Sequence, residues 1–167
     1  MRRLFALAAT AALIASLAAV SQVQATPATG ITSTTLATGS LSPVNLLVKN
    51  GDWMTQFRTK TDSTITVVEN DVAPGGSFGW HSHPGPSLVV VKSGTLSVYH
   101  APDCTSPEEY GPGSPLGSTF VDQGHDLHMV RNNSTTTIAD VYVVSFVPAG
   151  FGRRIDEPNP NPNLCPN

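Results

Sequence analysis

Short apolar runs, broken by glycine and proline, are the feature that most limits how this chain can fold. β-branched and aromatic residues recur in runs of strand length, and in 64–69 they alternate with polar residues. Beyond the N-terminal apolar run, no apolar pattern keeps the helical repeat over three or four turns. The 14 glycines and 14 prolines interrupt the runs at short intervals. This pattern predicts an all-β fold, either a sandwich or a barrel.

The predicted strands are separated by segments of turn composition. Residues 71–76 and the pair Ser93-Gly94 are the clearest turns, and residues 101–117 are predicted as a loop with at most one short strand. The strongest strand candidates are 64–69, 77–83, 88–92, 95–99, 118–121, 127–132 and 136–147.

The first 25 residues have the composition of a secretory signal peptide. Arg2 and Arg3 precede an almost wholly apolar run, and Val23 and Ala25 place small residues where a signal peptidase cuts. Cleavage after Ala25 predicts a secreted or periplasmic protein with no further membrane-spanning segment. An uncleaved membrane anchor is the alternative, because the apolar run is at the lower length limit for crossing a bilayer.

The remaining chain is predicted to form one domain. Residues 26–42 are rich in Thr, Ser, Gly and Ala and are interpreted as a flexible leader that ends in a first strand. Residues 43–157 are assigned to the barrel. Residues 158–167 are rich in Pro and Asn and are predicted to be an extended tail.

The two cysteines, Cys104 and Cys165, are predicted to form a disulfide. In an oxidising compartment a pair of this kind is usually bonded, and this bond would tie the tail to the loop after Tyr99. Two unrelated thiols, or two ligands for a soft metal, are the alternatives.

The charge balance argues against a nucleic-acid partner. The formal net charge is −3, so the chain has no basic excess with which to neutralise phosphates.

All five histidines lie within the segment 81–128. His81 and His83 are two residues apart in a predicted strand, so their side chains share one face. His128 begins another predicted strand, and three imidazoles converge if the two strands are neighbours. Neutral imidazole suits Zn, Cu, Fe and Ni. Two solvent-facing histidines on an edge strand are the alternative for His81 and His83.

The spacing around these histidines resembles the two motifs of the cupin superfamily. The matching residues are Gly75, His81, His83 and Gly94 in the first motif, and Gly117, His128 and Asn132 in the second. The resemblance implies a small cupin-type (jelly-roll) β-barrel that holds one metal ion, with His81, His83 and His128 as ligands. Cupins often pair through sheet edges, so the resemblance also makes a homodimer a candidate assembly.

One departure from the family bears directly on the metal. Cupins commonly supply a Glu as a fourth ligand, and Ser87 occupies that position here. Three histidines alone leave open coordination positions, as in a catalytic site, or mark a site of weakened affinity. Three neutral ligands also favour an anionic fourth ligand. Glu108, Glu109 and Asp126 are the candidates for it.

Ser87, Gln123 and His125 are the candidate pocket residues. Ser87 is interpreted as a wall residue or as a group that acts through water. Gln123 is either a hydrogen-bonding partner of a substrate or a turn residue. His125 is either an acid/base or fourth ligand, or it merely occupies a turn. His100 is expected at the surface, and Trp80 is expected to pack on the face opposite the His pair.

The sequence thus predicts a secreted protein that binds one divalent transition-metal ion (Fe, Zn, Mn, Cu or Ni) and leaves a position open for a small-molecule ligand. The alternative is a metal-dependent dioxygenase or isomerase acting on a small organic substrate. No catalytic residue is assigned, and a fold shared by many chemistries does not decide between the two.

Overall fold

The computed structural model describes residues 24–167. The predicted signal peptide, residues 1–25, lies outside the described residues apart from its last two positions. Eleven strands and no helix form the described part of the chain, so the all-β prediction is confirmed. Within 24–167 there is accordingly no helix long and apolar enough to cross a membrane.

The strands are β1 (Thr29–Leu41), β2 (Asn45–Asn50), β3 (Trp53–Arg58), β4 (Ser63–Ser82), β5 (Ser87–Ser93), β6 (Leu96–His100), β7 (Glu108–Tyr110), β8 (Thr119–Asp122), β9 (His128–Arg131), β10 (Ala139–Pro148) and β11 (Ile155–Asp156). Nine of them form one sheet in the order β7-β6-β9-β4-β10-β5-β8, and β1 and β11 also pair with β4. The pairings are antiparallel, and the sheet curls into a nearly closed barrel.

The long strand β4 belongs to both sides of the barrel. Residues 63–72 pair with β10 on one edge and β1 on the other, whereas residues 77–82 pair with β9 and β11. The predicted turn at 71–76 is therefore a bend inside one strand. Gly75 has a left-handed φ of 72°, and a Cβ at Gly76 would lie 2.8 Å from a backbone carbonyl oxygen. Glycine lets the strand bend here without ending.

The structure differs from the expectation of a flexible leader at residues 26–42. This segment contains β1, which runs along β4 from Thr29 opposite Ser77 to Leu41 opposite Ser63. Most β1 side chains are exposed. The strand is therefore held by backbone pairing with the edge of β4, and its β-branched threonines suit that conformation.

Alternation along the strands builds the core. On β5, Ser87, Val89 and Val91 are buried, while Leu88 and Val90 are exposed. Side chains two residues apart share a face, so Ser87 points inward with the valines. The main buried cluster consists of Val72, Val89, Val91, Leu96, Val98, Val130, Ala139 and Val141.

The hairpin of β2 and β3 forms a two-stranded sheet of its own, although the sequence assigned it to the barrel. The ring of Phe57 meets that of Phe146 on β10 edge to face, with centroids 5.3 Å apart. This contact anchors the hairpin to the barrel.

Cys104 and Cys165 form the predicted disulfide. It lies in a second buried cluster with Trp80 and Met129. The Trp80 indole donates a hydrogen bond to the Pro166 carbonyl oxygen at 2.8 Å. As expected, Trp80 thus packs away from the His pair, and the C-terminal tail covers that face of β4.

We expect the double variant Cys104→Ser/Cys165→Ser to unfold at lower urea concentration. The bond closes a loop with a sequence separation of 61 residues, which in the chain-entropy model corresponds to about 4 kcal/mol of stability. Urea titration followed by circular dichroism measures the difference. Two free thiols in the unreduced native protein, or an unchanged midpoint in the variant, would contradict the expectation.

Candidate metal centre

Three histidines meet where β4 and β9 lie side by side. His81 and His128 are direct cross-strand partners, and His83 follows β4 immediately. One nitrogen from each ring lies within 4.8 Å of the other two. His81 and His128 are almost fully buried, at 4 % and 3 % exposure. The predicted convergence of the three imidazoles is confirmed.

Backbone carbonyl groups determine which nitrogen carries the hydrogen in each neutral imidazole ring. The Nδ1 atoms of His81, His83 and His128 lie 2.8, 2.5 and 3.0 Å from the carbonyl oxygens of Gly79, Arg153 and Asp126. A carbonyl oxygen only accepts, so each Nδ1 carries a hydrogen and each neutral ring keeps its lone pair on Nε2. This arrangement is typical of metal-bound histidine, whose second nitrogen is usually held by a hydrogen bond.

The backbone at Gly79 makes one of these bonds possible. Gly79 adopts a left-handed φ of 69°, and a Cβ there would lie 2.2 Å from the carbonyl oxygen of Thr26. Thr26 in turn accepts a hydrogen bond from the Trp80 N–H on its Oγ1 at 2.6 Å. Only glycine therefore fits at the position that orients His81.

Asp122 brings a carboxylate next to two of the three histidines. Its Oδ2 lies 2.9 Å from His83 Nε2 and 3.4 Å from His128 Nε2. The side chain is only 4 % exposed, and Oδ2 has no hydrogen-bond partner among the described residues. Its Oδ1 accepts from the Gly124 N–H at 3.0 Å. With neutral rings, lone pairs of nitrogen and oxygen face one another, an arrangement that a bound cation relieves.

The site favours neutral His81 and His128 and an ionised Asp122. Burial lowers the pKa of His81 well below 6.5, and the charges of His128 and Arg154 act in the same direction. Burial also lowers the pKa of His128, although Asp122 opposes this. Burial alone would raise the pKa of Asp122, but the nearby imidazoles of His83 and His128 and the hydrogen bond from the Gly124 N–H outweigh it and lower that pKa. These are the ionisation states that bind a metal ion.

The group lies in the wall of a cavity of about 280 Å³ inside the barrel. Apolar side chains such as Phe78, Phe120 and Val143 line much of it. The four potential ligands therefore face a space that admits a small organic molecule.

Several solved structures similar to the chain are cupins. A cupin superfamily protein from Desulfitobacterium hafniense is 10 % identical; the match covers 67 % of this chain and 79 % of that chain, with a TM-score of 0.42. A cupin-like protein from Thermotoga maritima is 15 % identical; the match covers 60 % of this chain and 69 % of that chain, with a TM-score of 0.48. A cupin-2 domain protein from Rhodospirillum rubrum is 14 % identical; the match covers 78 % of this chain and 68 % of that chain, with a TM-score of 0.48. No protein-family profile and no curated protein sequence matches the chain.

The predicted all-β barrel is confirmed, and cupins are among the solved structures to which the chain is similar.

The residue at the cupin Glu position, Ser87, lies directly opposite Asp122 in the pairing of β5 and β8. It is buried in the cavity wall, and its hydroxyl donates to Ser145 Oγ at 3.2 Å. Cross-strand partners share a face of the sheet. Position 87 on β5 therefore has no carboxylate, but Asp122 supplies one directly opposite it on β8.

The other two candidate pocket residues do not join the group. Gln123 is exposed, because it alternates with the inward-facing Asp122, and it lines an outer hollow that borders the barrel cavity at Phe120, Asp122 and His128. His125 is an exposed turn residue with a left-handed φ of 55°, and its N–H donates to the His83 carbonyl oxygen at 2.8 Å. His125 therefore contributes through its backbone.

The three acids expected as candidates for the fourth ligand are engaged elsewhere. Asp126 lies 2.8 Å from His100 Nδ1 at the surface, and Glu108 accepts from the Tyr110 hydroxyl at 2.7 Å. Glu109 accepts from Ser97 Oγ at 2.5 Å. Asp122 was missed because the predicted strand stopped at residue 121, and only the β5–β8 register places it opposite Ser87.

We expect the metal-free protein to lose stability as the pH falls below about 6.5. His81 and His128 have folded-state pKa values below that unfolded value, so the unfolded chain binds more protons in this range. Their contribution to stability is fully present above pH 6.5. Urea midpoints measured between pH 8 and 5 after chelator treatment test this.

The double variant His81→Gln/His128→Gln should show a flatter pH dependence of the urea midpoint, whereas the matched surface variant His100→Gln should keep the wild-type slope. Equal slopes in wild type and in the double variant would contradict the assignment.

Proposed function

We propose that this protein binds one divalent transition-metal ion through His81, His83, His128 and Asp122, and presents an open coordination position to a small ligand in the barrel cavity. The observation that carries the proposal is the convergence of one nitrogen from each of the three imidazoles, with a buried carboxylate oxygen that lacks a hydrogen-bond donor beside His83 and His128.

The donor set indicates the class of metal. Three imidazole nitrogens and one carboxylate oxygen suit Fe, Zn, Mn, Cu or Ni, and they offer no thiolate for a soft ion. The single negative charge of Asp122 offsets part of the charge of a divalent ion. The remaining positive charge would polarise a bound water or ligand oxygen.

A location outside the cytoplasm belongs to the same proposal. The disulfide between Cys104 and Cys165 fits an oxidising compartment. The apolar N-terminal run, with Arg2 and Arg3 before it and Ala25 at its cleavage position, supports export by a signal peptide.

A metal-dependent reaction is the second candidate function, favoured by the cavity beside the four ligands. In this case the ion would activate a small organic substrate for oxygenation or isomerisation, while the apolar wall keeps bulk water away from it. Oxygen uptake by the Fe(II)-loaded protein, with a panel of phenolic and thiol substrates, tests this function. Absence of turnover with any loaded metal favours the binding function.

We expect the double variant His81→Ala/His83→Ala to lose metal affinity by more than about 100-fold, because it removes two of four ligands. Competition titration against a chromophoric chelator measures zinc affinity, and elemental analysis gives the stoichiometry. The matched control is His100→Ala, which removes a surface histidine and should keep one metal ion per chain. Full occupancy in the double variant would refute the site.

Moving the carboxylate across the strand pair tests the role of Asp122. Asp122→Asn keeps the shape but removes the charge, and we expect zinc affinity to fall about 10- to 100-fold. Asp122→Ser should lower zinc affinity to a similar extent. The variant Asp122→Ser/Ser87→Glu returns a carboxylate from the opposite strand and should recover most of the lost affinity. Wild-type affinity in Asp122→Asn would exclude Asp122 as a ligand.

A further inference from the structure

The segment between β10 and β11 brings two arginines to the cavity. Arg153 and Arg154 both line it. β11 pairs with the end of β4, where Ile155 lies opposite Ser82 and Asp156 opposite His81. This pairing holds the arginines beside the histidine group, and the Arg153 carbonyl oxygen accepts the hydrogen bond from His83.

The guanidinium of Arg154 is only partly satisfied. Its Nε pairs with the exposed carboxylate of Asp156. Its Nη2 is buried and has no hydrogen-bond partner within residues 24–167. A buried donor without an acceptor is costly, and such groups usually have a partner in the functional state.

The hydroxyl and amide side chains in the cavity wall pair with one another and are not hydrogen-bonded to Arg154. Ser33 Oγ donates to Asn70 Oδ1 at 2.6 Å, and Ser87 Oγ donates to Ser145 Oγ at 3.2 Å. These side chains satisfy one another across β1, β4, β5 and β10. The rest of the lining is largely apolar, so a molecule that pairs with the accessible part of the Arg154 side chain, which is 26 % exposed, would also need an apolar body.

We propose that the cavity binds a small organic monocarboxylate, whose carboxylate accepts hydrogen bonds from Arg154 and whose apolar part packs against Phe78, Phe120 and the cavity valines. A planar guanidinium suits a carboxylate because its N–H groups match the two oxygens. The inference rests on the proposed metal centre, which lies in the same cavity wall and adds positive charge to it. The volume of about 280 Å³ limits the ligand to a small molecule.

Calorimetric titration of the zinc-loaded protein tests this, with benzoate as the probe. Benzamide has nearly the same shape without the charge, and sulfate has charge without the apolar body. We expect benzoate to bind at least about tenfold more tightly than either. Equal binding of benzoate and benzamide would overturn the inference.

Arg154→Gln should weaken benzoate binding about tenfold or more while zinc affinity and the thermal midpoint stay close to wild type. Arg154→Lys keeps the charge but not the planar guanidinium, so its benzoate affinity should lie between those of the wild type and Arg154→Gln. Lys60→Gln is the matched control, because it removes one exposed positive charge outside the cavity and should leave benzoate binding unchanged. Unchanged benzoate binding in Arg154→Gln would refute the site.

Zinc affinity is measured separately, so the two proposals fail separately. If the wild-type protein takes up no zinc, the metal centre is refuted. The comparison of benzoate with benzamide on the zinc-free protein then still decides the carboxylate site.

Discussion

Backbone pairing along both edges of one bent strand is the constraint on which this molecule depends. β4 pairs with β1 and β10 before its bend and with β9 and β11 after it. The bend at Gly75 and Gly76 therefore carries the strand from one side of the barrel to the other with its hydrogen-bonding groups satisfied. It also brings His81 and His83 next to His128 on the paired strand β9. A break at this point would separate the ligands as well as the two sides of the barrel.

The two ends of the described chain hold the last part of β4 in place. Thr26 accepts from the Trp80 N–H, and the Glu157 N–H donates to the Trp80 carbonyl oxygen at 3.0 Å. The tail continues to Pro166, which takes the indole hydrogen bond, and to the disulfide at Cys165. These contacts fix the face of β4 that points away from the cavity. Because side chains alternate along a strand, they also fix the direction of the histidines on the other face.

How much the sequence predicts depends on whether a feature is local. The strands and the His81-x-His83 pair follow from residue types and short spacings, and the disulfide follows because the chain has only two cysteines. Asp122 does not, because its position next to the histidines comes from the register of β5 and β8, which no local pattern encodes. The strand at 29–41 has a loop-like composition and exposed side chains, so only the free edge of β4 explains it. The bend at 71–76 has the composition of a turn, and its strand pairing is likewise a property of its neighbours.

The exchange of a carboxylate between neighbouring strands has two physical effects. Asp122 keeps a negative charge next to His83 and His128, so the charge of the site is preserved even though position 87 is a serine. The small side chain of Ser87, hydrogen-bonded to Ser145, leaves free the space that a glutamate at this inward-facing position would fill. That space lies in the same cavity as Arg154 and the aromatic rings. A carboxylate on β8 would therefore supply an anionic group for the proposed metal ion and leave the cavity larger on the β5 side, where a ligand with an apolar body would lie.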